Sequence, residues 1–126
     1  MRSILLCVIL SGLIAVLIIV PHIFISNTAE EIKGILKTTD TAVKNEEWIE
    51  AEEYCLQAKN KWDKYSFWYE MITEHSAIDE IIRSMRQLER FIKEREQPEA
   101  RALLAELDFM VNHLEETDNL SAENIF

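Results

Sequence analysis

From Ile4 to Ile25 the chain runs through roughly 22 residues, ILLCVILSGLIAVLIIVPHIFI, without one charged side chain, and Arg2 is the only charged side chain ahead of it. At about 1.5 Å of rise per residue, such a run crosses the ~30 Å hydrocarbon layer of a membrane as a single helix. The rest of the chain is therefore read as a tethered domain. A cleavable signal peptide is the competing reading, because Met1 to Ser3 make a short basic start and Ser26, Asn27, Thr28 and Ala29 are small or polar. The apolar part of such a peptide is only about 7–15 residues and ends in a small-x-small site, which this run lacks in convincing form. Cys7 is not read as a lipidation site, since Leu6 before it is too large for the usual lipobox. Pro21 lies near the far end of the span, where a kink is tolerated, and His22 is placed to reach the interface.

Arg2 and the amino terminus flank one side of the run, and Glu30 and Glu31 begin the other, so positive-inside bias predicts a cytoplasmic amino terminus and an extracytoplasmic carboxy-terminal domain. Release after cleavage near Ser26 is the alternative. With about three residues on the cytoplasmic side, a signal is expected to pass laterally to another membrane protein or not at all. The chain carries 13 Lys+Arg against 23 Asp+Glu; with Arg2 set aside, the remainder has 12 against 23, a formal charge of −11. Phosphate backbones are repelled by such a surface, so nucleic acid is not an expected partner. No basic stretch for anionic lipid headgroups is present either.

The roughly 100 residues after the run suffice for one domain. Gly12 and Gly34 are the only glycines and Pro21 and Pro98 the only prolines. That scarcity suits helices and starves β-hairpins. Four helix starts are read from capping chemistry: Thr28 with Glu31, Asn45 ahead of Glu46, Ser76 with Asp79, and Pro98 as a first-turn residue. Helices are expected over roughly 28–43, 46–73, 77–95 and 98–116, with a disordered tail from Asp118.

In the second of these helices Trp48, Ala51, Cys55, Ala58, Trp62, Tyr65, Tyr69 and Ile72 recur at spacings of three and four, the seam of a helix packed as in a coiled coil. Phe67 and Trp68 fall off this seam and widen the aromatic belt. Trp48, Trp62, Tyr65, Trp68 and Tyr69 are thus both core candidates and the candidate interaction face. The third helix offers Ile78, Ile81, Ile82, Met85, Leu88, Phe91 and Ile92, and the fourth Ala100, Leu103, Leu104, Leu107, Met110, Val111 and Leu114. A shift of 49 residues superposes Ile32 on Ile81, Leu36 on Met85, Val43 on Ile92, Ala51 on Ala100 and Trp62 on Val111, a weak internal repeat of two αα-hairpins. Such hairpins pack either as an up-down bundle or as a tetratricopeptide-like pair; the offset exceeds the ~34 residues of that repeat, and the bundle is preferred. The expected fold is all-α, one N-terminal transmembrane helix (1–26) followed by an antiparallel bundle of about four helices (27–117) and a tail (118–126).

The single span, N-E-E-W-x-x-A at 45–51, Trp62, H-S-x-I-D-E-I at 75–81 and L-x-F-M-V-N-H-L at 107–114 together resemble a family of small bacterial membrane-anchored helical proteins of unknown function, DUF4363. The likeness covers nearly the whole chain. It implies an associate of a multi-span membrane protein, and it carries over no catalytic residue.

Chemical constellations are sparse. His75, Asp79 and His113 are the only plausible metal ligands, His75 and Asp79 sharing a face at i, i+4. The Glu-x-x-His pattern of di-iron bundles, HExxH and CxxC are all absent from the sequence. Cys55 sits on the seam between Ala51 and Ala58, where a small buried thiol is expected; an exposed Cys55 would instead be able to link two chains. The spacing of Glu46 with Glu50 and Glu70 with Glu74 suits solvated helix faces. No cofactor, small-molecule substrate or catalysis is expected. The function expected is that of a non-catalytic adaptor for another membrane protein or for a second copy, the alternative being a small-ligand sensor with its site near Trp68, Tyr69 and His75.

Overall fold

The apolar run and the first expected helix of the domain are one helix, α1 (Arg2–Lys44), 43 residues and about 65 Å long. It is followed by α2 (Trp48–Ile72), α3 (His75–Lys93) and α4 (Gln97–Ile125). The structure, a computed structural model, describes residues 1–72 and 75–125; the side chains of 21, 22, 25, 26, 65, 68, 69, 71, 72, 75 and 117–125 are outside that description.

Three of the expected helix starts are corrected. Thr28 does not cap a new helix: its Oγ1 donates to the Phe24 carbonyl one turn back, at 2.7 Å, inside an unbroken α1. No glycine or proline lies between Pro21 and Thr28 to stop the helix, so the threonine takes the back-bonding role of a mid-helix hydroxyl. Asn45 is likewise not an N-cap but the residue that closes α1, with φ −88° and ψ 6°. Glu46 follows at φ 58°, and α2 starts only at Trp48. Ser76 lies within the first turn of α3, not ahead of it. Pro98 falls in the first turn of α4, where its missing amide costs nothing. The helix then continues through Ile125, past the point near 118 where the sequence predicts a disordered tail.

The turn after α1 and the turn after α3 are the same turn. Glu46 N donates to Val43 O at 3.1 Å and Glu47 N to Ala42 O at 2.8 Å; 49 residues later Arg95 N donates to Ile92 O at 3.1 Å and Glu96 N to Phe91 O at 2.9 Å. Each is a Schellman closure, which needs a left-handed residue just past the helix. Glu46 and Arg95 supply it, at φ 58° and 59°. The side chain of Gln97 then ties the hairpins together, donating to the Lys44 carbonyl at 3.1 Å and adding a second donor, at 3.2 Å, to the Val43 carbonyl that Glu46 N already reaches.

Burial repeats at the same offset. Ala29, Ile32, Leu36, Thr39 and Val43 of α1 match Ile78, Ile81, Met85, Leu88 and Ile92 of α3, all buried; Ala51, Cys55, Ala58 and Trp62 of α2 match Ala100, Leu104, Leu107 and Val111 of α4, again all buried. Spacings of three and four keep these residues on one stripe per helix, and four stripes meet in one core. The hydroxyl of Thr39 is satisfied inside it by the Ile35 carbonyl at 2.8 Å. α1 packs against α2 and α4, and α3 packs against the same two helices, so the ring is closed. A tetratricopeptide-like stack would leave α1 apart from α4. The ion pairs Asp40 to Arg101 and Lys33 to Glu115 run in opposite order along α1 and α4, the signature of antiparallel neighbours.

Candidate functional site

The aromatic residues singled out on α2 do not form one exposed face. Trp62 has no exposed surface and is the largest side chain of the core, while Trp48 is half-buried and packs on that core. Both therefore serve packing, because each falls on the buried stripe of α2. The side chains of Tyr65, Trp68 and Tyr69 lie outside the described ones. What α2 does expose is a row that the seam pattern passes over: Ile49 (76%), Leu56 (52%) and Phe67 (62%). Spacings of seven and eleven are close to two and three whole turns, so the three residues share the outer face of the helix. That periodicity is present in the sequence, off the dominant seam.

The metal-ligand candidates are not drawn into a described cluster. Asp79 and His113 are exposed, and the His75 side chain is outside the description. The His113 ring stacks on Phe109, with centroids 6.2 Å apart and planes 9° from parallel. Among the described residues, no group of three or more His, Cys, Asp or Glu stands close enough to hold a metal.

A hollow of about 620 Å³ is the groove between α1 and α4, lined by Lys33, Gly34, Asp40, Arg101, Asp108 and Asn112 among others. Its main charges answer one another. Lys33 Nζ lies 2.8 Å from both Glu30 and Glu115 and 3.2 Å from the Asn112 side-chain oxygen, and Arg101 lies 3.1 Å from Asp40. The hydrogen bond and charge of Lys33 hold the Glu30 carboxyl below its usual range. Burial pulls the Lys33 ammonium down, but its bonds to Glu115 and Glu30 outweigh this and leave it raised. These groups bind helices to each other and do not converge on an empty point. No local pattern announces the pairs across helices, which only the register of α1 on α4 creates.

A smaller hollow of about 240 Å³ between α2 and α3 is lined by Cys55, Lys59, Glu89 and Lys93. Lys59 and Lys93 hold Glu89 at 3.4 and 3.2 Å, and the bond from Lys93 is the main reason its carboxyl titrates low. Burial first, and the Glu89 charge second, push the Cys55 thiol up to about 11. At 3% exposure and neutral pH it is a protonated core thiol, not a nucleophile and not a group poised for cross-linking.

Outside the bundle, Arg2–Val20 is a 19-residue helical stretch of mean hydropathy 3.1, none of it buried by the rest of the chain. It is long and apolar enough to cross a membrane.

Over residues 21–125 the chain matches the family described as Domain of unknown function (DUF4363). It belongs to that family. No curated protein matches it, and no solved structure does.

Proposed function

Starting from membership of that family, we propose that the chain is a single-span, membrane-anchored interaction module, with a cytoplasmic amino terminus and an extracytoplasmic helical bundle that contacts a membrane partner. One observation carries this reading. Helix α1 enters the core at Thr28 and Ala29 without a break, while its first 19 residues, Arg2–Val20, bury nothing against the chain. So much apolar surface left in water is strongly unfavourable, at about 25 cal/mol per Å², and a bilayer removes it. A cleaved signal sequence would pass the same length and composition test. The anchor is favoured by helical continuity, because the stretch around Ser26 is part of the same rod that carries the core residues. Tethering turns a weak contact into an effective one by confining both partners to one surface, and Ile49 and Leu56, higher on the outer face of α2, are the exposed apolar groups for it.

The sensor reading requires a hollow beside Trp68, Tyr69 and His75. The side chains of those three residues lie outside the described ones, and the charged hollows between the described helices have their main charges paired, which supports the interaction reading. The test is cross-linking and capture of the full-length protein from its native membrane, beside a version whose span is replaced by an unrelated apolar helix. A shared, specific membrane partner is expected for both, together with an intact amino terminus by mass. Recovery of a protein that starts near residue 27 in the soluble fraction would overturn the anchor, and saturable quenching of tryptophan fluorescence by a small metabolite would favour the sensor.

A further inference from the structure

The register of α2 on α1 fixes where the foot of the bundle stands relative to the span. Lys61 Nζ meets Glu31 Oε2 at 2.6 Å, so residue 61 of α2 lies beside residue 31 of α1. The helices are antiparallel, and each step along α2 moves one step back along α1. Phe67 therefore stands near the level of Ile25, where the uncharged run ends, and Ile72 near Val20, by which the helical stretch Arg2–Val20 has covered about 28 Å. At about 1.5 Å per residue, Phe67 is roughly 7 Å beyond the end of that stretch. The headgroup layer on one side of a ~30 Å hydrocarbon core is about 5–7 Å deep. No linker separates bundle from span, since both are α1.

The stretch that falls in this layer reads F-W-Y-E-M-I from 67 to 72. Trp and Tyr are the residues enriched at membrane interfaces, because an apolar ring with a polar edge suits the boundary between hydrocarbon and water. Phe67 is 62% exposed on the bundle, an apolar ring presented outward at that level. Charge narrows the surface further. Glu70 and Glu116 are exposed toward this end, and the chain as a whole carries −10, which disfavours anionic headgroups.

Resting on the anchor reading, we propose that the last turns of α2, from Phe67 to Ile72, lie in the headgroup region of the bilayer that α1 crosses and hold the foot of the bundle against zwitterionic lipid. The bundle then stands upright on the membrane and presents its remaining outer faces, with Leu56 about 16 Å above Phe67, at a defined height.

Nitroxide labels at three exposed positions test this in the full-length protein in phosphatidylcholine vesicles. Leu10→Cys, Leu56→Cys and Phe67→Cys are made in a Cys7→Ser, Cys55→Ala background whose helicity is checked first. The readout is the ratio of relaxation by oxygen to relaxation by a polar nickel chelate. The expected result is a high ratio at 10, a low ratio at 56, and at 67 a ratio several-fold above that at 56. Equal ratios at 67 and 56 with position 10 in hydrocarbon overturn the proposal and leave the anchor standing. A label at 10 open to the chelate overturns the anchor reading and the proposal with it. A label at 67 shielded from both reagents means that protein, another copy or a partner, covers this foot, and also overturns it.

Discussion

The two αα-hairpins share a turn, a hydrogen-bond pattern and a set of buried positions, yet few of the side chains at those positions are the same. Ala51 matches Ala100, but Cys55, Ala58 and Trp62 of α2 stand where α4 has Leu104, Leu107 and Val111. The fold is thus specified by where apolar groups recur, and the volume each hairpin contributes is a separate matter. The first hairpin puts its bulk into one indole beside small neighbours, and the second spreads it over aliphatic side chains. Differences outside the core run deeper. Residues 67–69 of α2 are Phe, Trp and Tyr, whereas 116–118 of α4, the equivalent positions, are Glu, Thr and Asp. The first hairpin alone carries an apolar extension and an aromatic end beside it, so the features particular to this protein collect where the repeat fails.

The largest expected effect breaks that comparison at the core. Trp62 is 0% exposed, and Trp62→Ala is expected to lower stability by about 3–5 kcal/mol, against about 2 kcal/mol for Val111→Ala at the equivalent place in α4. Chemical denaturation of the full-length protein in detergent measures both. If the two truncations cost the same, the first hairpin does not concentrate its packing in the indole.

Much of this fold is legible in the sequence because heptad spacing survives any choice of apolar residue. The stripe from Ala51 through Trp62, the stripe from Ile78 through Ile92 and the offset of 49 residues all follow from spacing, and the structure keeps them. Helix ends are less legible. Thr28 with Glu31 has the residue types of a capping box, but the pattern is silent on whether the preceding turn is already helical, and here it is. Asn45 is compatible with either end of a helix; what decides is the left-handed Glu46, a conformation that glutamate rarely advertises. The exposed row of Ile49, Leu56 and Phe67 is masked by the stronger seam, and the pairing of Lys33 with Glu115 spans 82 residues, beyond the reach of any local pattern.

That ion pair is where α1 and α4 are tied and where a middling effect is expected. Lys33 and Glu115 are mostly buried, with 17% and 13% of their side chains exposed, so Lys33→Met should cost about 1–2 kcal/mol, between a surface pair and a fully buried one. The pH dependence has a definite sign. Glu30 and Glu89 titrate below their ordinary 4.5, so their stabilisation is complete above that value and is lost as pH falls through the lower folded values. Lys33 titrates above 10.5, so its share is complete below that value and is lost as pH rises past it. The gap between wild type and Lys33→Met should stay level between pH 4.5 and 10.5 and narrow at the acid edge, as denaturation across that range will report. A gap that widens in acid would show that Lys33 is not held by carboxylates.

A smaller, stabilising effect is expected at Gly34, in the middle of α1, where the matching residue of α3 is Arg83. A β-carbon there meets nothing within 4 Å, so Gly34→Ala should gain about 0.5–1 kcal/mol from helix propensity alone. A loss in the same denaturation assay would mean that the bare backbone at this point is needed for a close approach by another helix in the membrane-bound assembly.

The smallest effects probe the twin turns, and they probe the repeat most directly. Glu46 and Arg95 both hold the left-handed conformation that costs an ordinary L-residue about 1–2 kcal/mol and costs glycine almost nothing. Glycine also loosens the unfolded chain, which returns part of that gain. Glu46→Gly and Arg95→Gly should therefore each stabilise by about 0.5 kcal/mol, with the same sign and nearly the same size, as thermal unfolding of each single variant will report. Equal shifts would mean that the two Schellman closures are energetically as well as geometrically the same. Opposite signs would show that one side chain does more than close a turn. Glu46 would then be the one to pursue, because the turn after α1 is the one whose carbonyls Gln97 of the second hairpin reaches across to bind.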